Sequence, residues 1–182
     1  TERVHEMLSK GRDAYRYING QTLRLANHGH TPVEIAELVE FPDSLASHWA
    51  LREYYGTVNH NVKSTYVKYL GWYDGNPATL HGLPPEDAAK NYVEFMGGAA
   101  AVLEKAKESF ERGEYRWVAE VVNHVVFADP GNKEARELEA AALEQMGDQT
   151  ESSTWRNAFL TAAQELRIGT LSLPFKGTAS AD

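Results

Sequence analysis

One short run of the chain, residues 54–77, concentrates side chains that could bind an amphiphilic anion. It holds five tyrosines, Trp72, two lysines, His60 and Asn61. Aromatic rings can form an apolar wall, while hydroxyl, amide, imidazole and ammonium groups can donate hydrogen bonds to an anionic head. The run closes with the turn formers YDGNP, which end any helix there. The alternative interpretation is an aromatic helix face packed in a hydrophobic core, because aromatic residues commonly serve packing.

The seven histidines do not form a recognisable metal site or catalytic site. Only His28 and His30 are close in sequence, in an HGH loop, and no third ligand lies near them, whereas zinc needs three or four protein ligands. The HxHxDH, HExxH, phosphate-loop and GxSxG motifs are all absent. The carboxylates are spread over helical faces without a recognisable acid–base pair. We therefore predict no catalytic residue, no metal ligand and no cofactor in this chain.

Charge and composition exclude several classes of protein. Acidic residues outnumber basic ones by 26 to 18, which gives a formal net charge of −8, and no Arg/Lys cluster interrupts this balance. Nucleic-acid binding, which needs clustered cations, is therefore not expected. The chain has no cysteine, which excludes disulfides and thiolate sites. No apolar run approaches the roughly 18 residues of a membrane span. These features leave the compartment open, whether periplasmic, secreted or cytoplasmic.

Apolar residues recur at helical spacing along almost the whole chain, which predicts an all-α bundle of about eight to nine helices. Thr31, Pro32 and Glu34 have the spacing of a capping box with proline in the first turn, so a second helix should begin there. Prolines and glycines predict a loop at residues 74–85. Further helices are predicted at residues 2–26, 42–54, 59–73, 84–96, 99–112, 115–128, 132–146 and 153–168.

A short stretch of the second half resembles a tetratricopeptide hairpin. Gly113, Tyr115, Ala119 and Pro130 follow that pattern, in which a small residue lets two helices cross closely and a proline closes the hairpin. Only one good unit is present and a repeat array needs about three, so we predict a hairpin section within a bundle. The helix around residues 118–127 has more apolar surface than a small bundle can bury. Its candidate core or interface residues are Trp117, Val121, His124 and Phe127.

Ordered motifs along nearly the whole chain resemble the alkylsulfatases of metallo-β-lactamase type. In the first half these are RDAYRYI (residues 12–18), QTLRLAN (21–27), the run at 54–77, DAAK (87–90) and YVEFMGG (92–98). In the second half they are YRWVA (115–119), NHVVFADP (123–130), ALEQMG (142–147), WRN (155–157) and QEL (164–166). The resemblance implies the middle, helical dimerisation domain of a bacterial enzyme of this kind.

The resemblance also implies a domain layout. In that family a zinc-binding catalytic domain precedes the dimerisation domain, and a lipid-transfer-like domain follows it. Residues 1–30 would be the terminal helix leaving an absent catalytic domain, 31–169 the dimerisation domain, and 170–182 a linker to the absent C-terminal domain, with a short extended piece at 170–175. The family's binuclear zinc motif has no counterpart here, so zinc is expected only in the parent enzyme.

Finally, the resemblance implies a role for the aromatic run. In the family, the segment matching residues 54–73 approaches the active site and helps to hold the sulfate head. The candidate residues for this pocket wall are Tyr55, His60, Asn61, Lys63, Tyr66 and Tyr73. We expect self-association, contact with the catalytic domain and an alkyl sulfate substrate such as dodecyl sulfate in the parent, and no catalysis by this chain alone. The alternatives are a free-standing tetratricopeptide-like adaptor and a small-molecule enzyme built on the aromatic run; the missing acid–base pair weighs against the second.

Overall fold

Helices account for all the regular secondary structure in residues 1–170, the part of the chain that the computed structural model describes. They are α1 (Glu2–Asn27), α2 (Pro32–Leu38), α3 (Asp43–Ala46), α4 (Val58–Leu70), α5 (Pro77–Leu80), α6 (Pro85–Phe95), α7 (Ala99–Glu111), α8 (Tyr115–Ala128), α9 (Lys133–Asp148) and α10 (Ser153–Ile168). A 3-10 turn, Trp49–Leu51, lies between α3 and α4. Eight of these described helices have seven residues or more, so the predicted all-α fold is confirmed. The tetratricopeptide-like character of the second half stays a prediction.

The chain divides into two compact units. Unit 1 consists of Thr1–Gly82 together with Glu151–Thr154, and unit 2 consists of Leu83–Thr150 together with the chain from Trp155 onward. Unit 1 therefore contains α1 to α5, and unit 2 contains α6 to α9 and most of α10. The domain boundaries predicted at residues 30 and 169 stay predictions. The extended piece and linker predicted from residue 170 lie, apart from Thr170 itself, outside the described residues.

The core of unit 1 forms where α1, α2 and α4 meet. Ile18 from α1, Ile35 from α2 and Val62 from α4 are buried together. Tyr66 joins them with only 8% of its surface exposed. Full burial of such side chains is worth about 1.5–3 kcal/mol each, and this burial holds α4 against the long helix α1.

Local hydrogen bonds set the break between α1 and α2. Gly29 follows α1 with φ +87°, a conformation that favours glycine. The Thr31 side chain accepts a hydrogen bond from the backbone N–H of Glu34, and the Glu34 carboxylate accepts one from the backbone N–H of Thr31 at 2.8 Å. The hydrogen bonds from the backbone and hydroxyl of Thr31 lower the pKa of Glu34 because they favour its charged form. The predicted capping box is therefore confirmed.

The single helix predicted at residues 42–54 is wrong. The chain instead forms the one-turn helix α3 and a separate 3-10 turn. The Ser47 hydroxyl donates to the Asp43 carbonyl at 2.6 Å. His48 has extended backbone, and its Nδ1 accepts a hydrogen bond from the backbone N–H of Ala50 at 3.3 Å. Side chains that bond neighbouring backbone groups compete with the helical hydrogen bonds, and here they interrupt the helix.

Helix α4, which contains most of the aromatic run, is defined at both ends. The Thr57 hydroxyl accepts a hydrogen bond from the backbone N–H of His60 at 3.0 Å, which caps the first turn. Gly71, with φ +82°, ends the helix after Leu70, so α4 is shorter than predicted. The predicted loop at 74–85 contains one short helix, α5.

The segment Glu151–Thr154 holds the backbone just before α4. The hydroxyls of Ser152 and Thr154 both donate to the Tyr55 carbonyl oxygen at 2.6 Å. Ser152 is buried and lies 97 residues away from Tyr55 in sequence. The position of Tyr55 is therefore set by a long-range contact, although its ring is 76% exposed.

Helix α8 lies at the centre of unit 2. Four of its valines are buried, and they pack with buried residues of α7 and α9 in one core cluster. These valines are Val118, Val121, Val122 and Val125. Buried alanines on α9, Ala135 and Ala142, let that helix approach α8 closely.

Helices α9 and α10 come into close contact at Gly147. A Cβ atom at this position would lie 2.9 Å from Cγ and Cδ2 of Leu160, which is shorter than van der Waals contact. The sequence predicted a turn from Gly147 onward, but α9 continues to Asp148. Gly147 therefore serves packing inside a helix. The guanidinium Nε of Arg136 also joins these helices, because it donates to the Leu166 carbonyl at 2.6 Å near the end of α10.

Candidate functional site

The aromatic run separates into buried and exposed parts in unit 1. Tyr66 points into the core, whereas Tyr55 and Asn61 are exposed and line a cavity of about 470 Å³. Apolar residues of its lining include Met7, Ala14, Tyr15 and Ile18 from α1 together with Phe41. Arg52 and Glu53 line the same cavity.

A second groove, of about 550 Å³, lies between α1 and α4. Two cations, Arg16 and Lys68, lie at this groove together with amide and hydroxyl side chains. Those neutral polar residues are Tyr15, Asn19, Asn61, Ser64 and Thr65. Within residues 1–170, Arg16 has no carboxylate partner, so its guanidinium is available to a ligand.

Tyr15, Ile18 and Asn61 line both cavities and therefore form their common wall. An anion can be held by the cations and hydrogen-bond donors of the α1–α4 groove, while an alkyl chain can lie against apolar residues such as Ile18. This combination is typical of a site for an amphiphilic anion.

Sequence reasoning missed the contribution of α1 to these cavities. Tyr15, Arg16 and Asn19 precede the aromatic run by about forty residues and reach Asn61 only through the packing of α1 against α4. The available signal is local: Asn19 lies four positions after Tyr15 and three after Arg16, so it shares a helical face with each of them. The RDAYRYI segment carries the family resemblance, and that resemblance does not point to this helical face.

The remaining predicted wall residues do not line these cavities. His60 is exposed on the first turn of α4, and Lys63 is half-buried. Tyr73 lies beyond the end of α4, where its ring meets that of Trp72 edge to face at 5.8 Å. The structure therefore brings Tyr55 and Asn61 together and leaves the others apart from them.

The candidate residues of unit 2 also separate by burial. Val121 belongs to the core, and His124 is half-buried against the ring of Tyr92. Trp117 and Phe127 keep about half of their surface exposed, 55% and 42%. The core interpretation therefore fits Val121, while the two large rings remain available at the surface.

An exposed aromatic residue and an apolar groove lie close together in unit 2. Phe95, the last residue of α6, is 93% exposed. The next residue, Met96, lines a groove of about 160 Å³ beside Trp117. Large exposed rings of this kind mark candidate interaction surfaces.

Unit 2 also buries a carboxylate. Glu139 on α9 is only 7% exposed, and within residues 1–170 its Oε2 has no hydrogen-bond partner. Burial raises the pKa of Glu139 to about 7, because removal from water penalises the charged form. The neighbouring Arg136 bonds to the Leu166 carbonyl at 2.6 Å, and no ion pair between Arg136 and Glu139 occurs among the described residues.

Metal ligands and membrane spans are the two remaining features that bear on function. Within residues 1–170, no three His, Asp or Glu side chains come together in a group that could bind a metal ion. In the same part of the chain, none of the helices combines the length and the apolar character of a membrane span.

Comparison with known proteins gives a consistent set of similarities. Residues 31–169 match the family described as alkyl sulfatase dimerisation. A linear primary-alkylsulfatase from Pseudomonas sp. is 62% identical over 179 residues, which is 98% of this chain and 27% of that protein. The alkyl/aryl-sulfatase of Saccharomyces cerevisiae is 59% identical over 167 residues, 92% of this chain and 26% of that protein.

Solved structures show the same similarity in three dimensions. The stereoselective inverting sec-alkylsulfatase Pisa1 from Pseudomonas sp. superimposes with a TM-score of 0.94 at 47% identity. The match covers 97% of this chain and 28% of that one. The chain thus spans about a quarter of the length of these relatives.

Proposed function

Because this chain belongs to the alkyl sulfatase dimerisation family, we propose that it works within a longer alkylsulfatase. There it joins two copies of the enzyme and supplies one wall of the substrate pocket. The proposal rests on the match of residues 31–169 to the dimerisation family. The sequence identity across 98% of the chain to a linear primary-alkylsulfatase supports the same parent activity.

Self-association is supported by the exposed rings of unit 2. Trp117 and Phe127 project from α8, and Phe95 is almost wholly exposed at the end of α6. Aromatic residues are enriched at protein interfaces, where their burial supplies much of the binding free energy. Covering these rings with a second copy would remove apolar surface from water and so favour the dimer.

The role as a pocket wall is supported by the two cavities of unit 1. Arg16, Lys68 and Asn61 offer charges and donors for a sulfate head. Ile18 and Met7 offer apolar surface for an alkyl chain. Of the predicted residues, Tyr55 and Asn61 are the ones that this arrangement favours.

The hydrolytic step is assigned to the parent and not to this chain. Water must attack the sulfate ester and break its ester linkage, giving an alcohol and hydrogen sulfate, and that attack needs an activating group. The residues described here do not fit a zinc site: His28 and His30 have no third ligand, and no metal-binding group occurs within residues 1–170. We therefore propose that the binuclear zinc implied by the family is held elsewhere in the parent.

Sedimentation equilibrium of this chain tests the self-association. We expect a dimer at tens of micromolar, since a dimer with a dissociation constant of about 1 μM, equivalent to about 8 kcal/mol, would be well populated there. A clean monomer in this range would contradict the proposal. Metal analysis after chelator treatment and a sulfatase assay are expected to find neither stoichiometric zinc nor activity in the same sample.

A further inference from the structure

We infer that Phe95 of one copy inserts into the groove beside Trp117 of a second copy, and that the second copy's Phe95 does the same in return. This inference rests on the self-association proposed above and names the contact through which it occurs. Two features of unit 2 support it: an exposed ring on an ordered helix end, and a nearby groove of the size of one ring.

The backbone that carries the exposed Phe95 is held by hydrogen bonds at the end of α6. Immediately after Phe95, the chain closes α6 through two glycines with left-handed conformations, Gly97 at φ +94° and Gly98 at φ +93°. The N–H of Gly98 donates to the Val93 carbonyl at 2.8 Å, and the N–H of Met96 donates to the Tyr92 carbonyl at 2.9 Å. A backbone that is already ordered before binding loses less conformational entropy when a partner covers its side chain.

The groove has the size and chemistry to accept a phenyl ring. Buried residues of α7 and α8 line its floor: the apolar Val102, Ala106 and Val121, together with Ser109. Met96 and Trp117 form its apolar rim. Its volume is about 160 Å³, and an apolar protein cavity of about 150 Å³ is known to bind benzene.

The positions of ring and groove suit a two-fold contact. In such an interface, when residue i of one copy touches residue j of the other, j also touches i. Phe95 directly precedes Met96, which lines the groove, yet with 93% exposure its ring lies outside the groove of its own chain. Close to the symmetry axis, a ring next to its own groove can enter the partner's groove while the partner's ring enters the first groove.

Charge is complementary around the same contact. Glu94 precedes Phe95, and Lys105 lines the groove. Both side chains are exposed, and neither has an ion-pair partner within residues 1–170. Docking of Phe95 into the partner's groove brings a carboxylate toward an ammonium group, which favours this pairing over one between like charges.

Site-specific photocrosslinking in the full-length enzyme tests the inference. Phe95 is replaced by the photoreactive p-benzoylphenylalanine, and light- and heavy-isotope-labelled copies are mixed before irradiation. We expect crosslinks between copies at Met96, Trp117 or Val121. Crosslinks confined to one copy, including crosslinks to a different domain of the same enzyme, would overturn the inference.

A matched pair of variants measures the energetic contribution. Phe95→Ser is expected to raise the dimer dissociation constant at least about tenfold, equivalent to about 1.4 kcal/mol. Leu83→Ser, which alters another exposed apolar residue of unit 2, should leave the constant unchanged. Thermal unfolding of both variants confirms that the fold is retained, as expected for exposed positions.

The outcomes separate this inference from the broader proposal. If wild-type enzyme dimerises and Phe95→Ser dimerises equally well, then self-association stands and the Phe95 contact is wrong. If wild-type enzyme is monomeric, both are wrong. Trp117→Ser provides the reciprocal test, because removal of the groove's rim should weaken the dimer to a similar extent.

Discussion

The imidazole ring of His124 lies against the phenol ring of Tyr92, with 4.7 Å between the ring centroids and 34° between the planes. The contact joins α8 to α6 within unit 2. Aromatic pairs of this kind contribute about 0.5–1.5 kcal/mol beyond the burial of their area. We therefore expect His124→Gln to lower the free energy of unfolding by about 1 kcal/mol in denaturant titrations.

His81→Gln is the matched control for this prediction, because His81 is exposed at the end of α5. It should leave the unfolding free energy within experimental error. In the parent enzyme, His124→Gln should not change turnover per folded molecule. Equal stability of the two variants would show that the ring contact contributes nothing.

The buried carboxylate of Glu139 should make stability depend on pH. Burial raises its folded-state pKa from 4.5 to about 7. Between these two values the folded state keeps the proton and the unfolded state releases it, so stability should fall as pH rises through this window and level off above it. Glu139→Gln stays neutral, so it should abolish this dependence and raise stability at pH 8 by roughly 3 kcal/mol at most.

Urea titrations from pH 4.5 to 8 provide the measurement for Glu139. Glu120→Gln, an exposed position on α8, serves as the control and should keep the wild-type pH profile. A Glu139→Gln variant with an unchanged profile would mean that the buried carboxylate is charged and compensated in the folded protein.

A side chain at Gly147 would have to displace Leu160. A Cβ at this position would lie 2.9 Å from Leu160, and forcing extra volume into a packed contact costs about 1–3 kcal/mol. Over most of that range this cost exceeds the gain of about 1 kcal/mol in helix propensity when alanine replaces glycine. Gly147→Ala should therefore lower the melting temperature.

Gly20 provides the opposite case for the same substitution. It lies inside α1, and a Cβ there would meet no atom within 4 Å. Gly20→Ala should raise the unfolding free energy by about 0.5–1 kcal/mol. Differential scanning calorimetry of both variants compares an identical chemical change in two packing environments, and a similar effect at both sites would contradict the close contact at Gly147.

The proposed pocket wall can be tested by removing single donors in the parent enzyme. We expect at least one of Tyr55→Phe, Asn61→Ala and Arg16→Met to lower kcat/KM for a linear alkyl sulfate at least tenfold, about 1.4 kcal/mol. The loss of one donor that acts on the transition state can cost about 10²–10³-fold. His60→Phe, Lys63→Met and Tyr73→Phe complete the series.

Tyr69→Phe is the control for the pocket wall, because Tyr69 is half-exposed on α4 but lines neither cavity of unit 1. Dimerisation and zinc content should be unchanged in every variant. If all six variants of the series keep normal kinetics, the aromatic run has a structural role and the domain serves assembly alone.

Several helix ends could be predicted from the sequence because they depend on neighbouring residues. Each of these ends depends on hydrogen bonds that span only a few positions. They are the capping box of Thr31 and Glu34, the left-handed glycine at residue 29 and the paired glycines after α6. Where local signals competed, prediction failed: Ser47 and His48 divide a segment whose apolar pattern predicted one helix.

The apolar periodicity and ordered motifs of the sequence determined the all-α class and the family. Only the tertiary structure decided which of several similar residues are buried and which are exposed at a cavity. Tyr66 is buried while Tyr55 is exposed, although both belong to one aromatic run. Asn61 meets Arg16 in one groove only because α4 packs on α1. The physical reason is that burial and contact between distant helices depend on the packing of the whole core, which local hydrogen bonds and helical spacing do not specify.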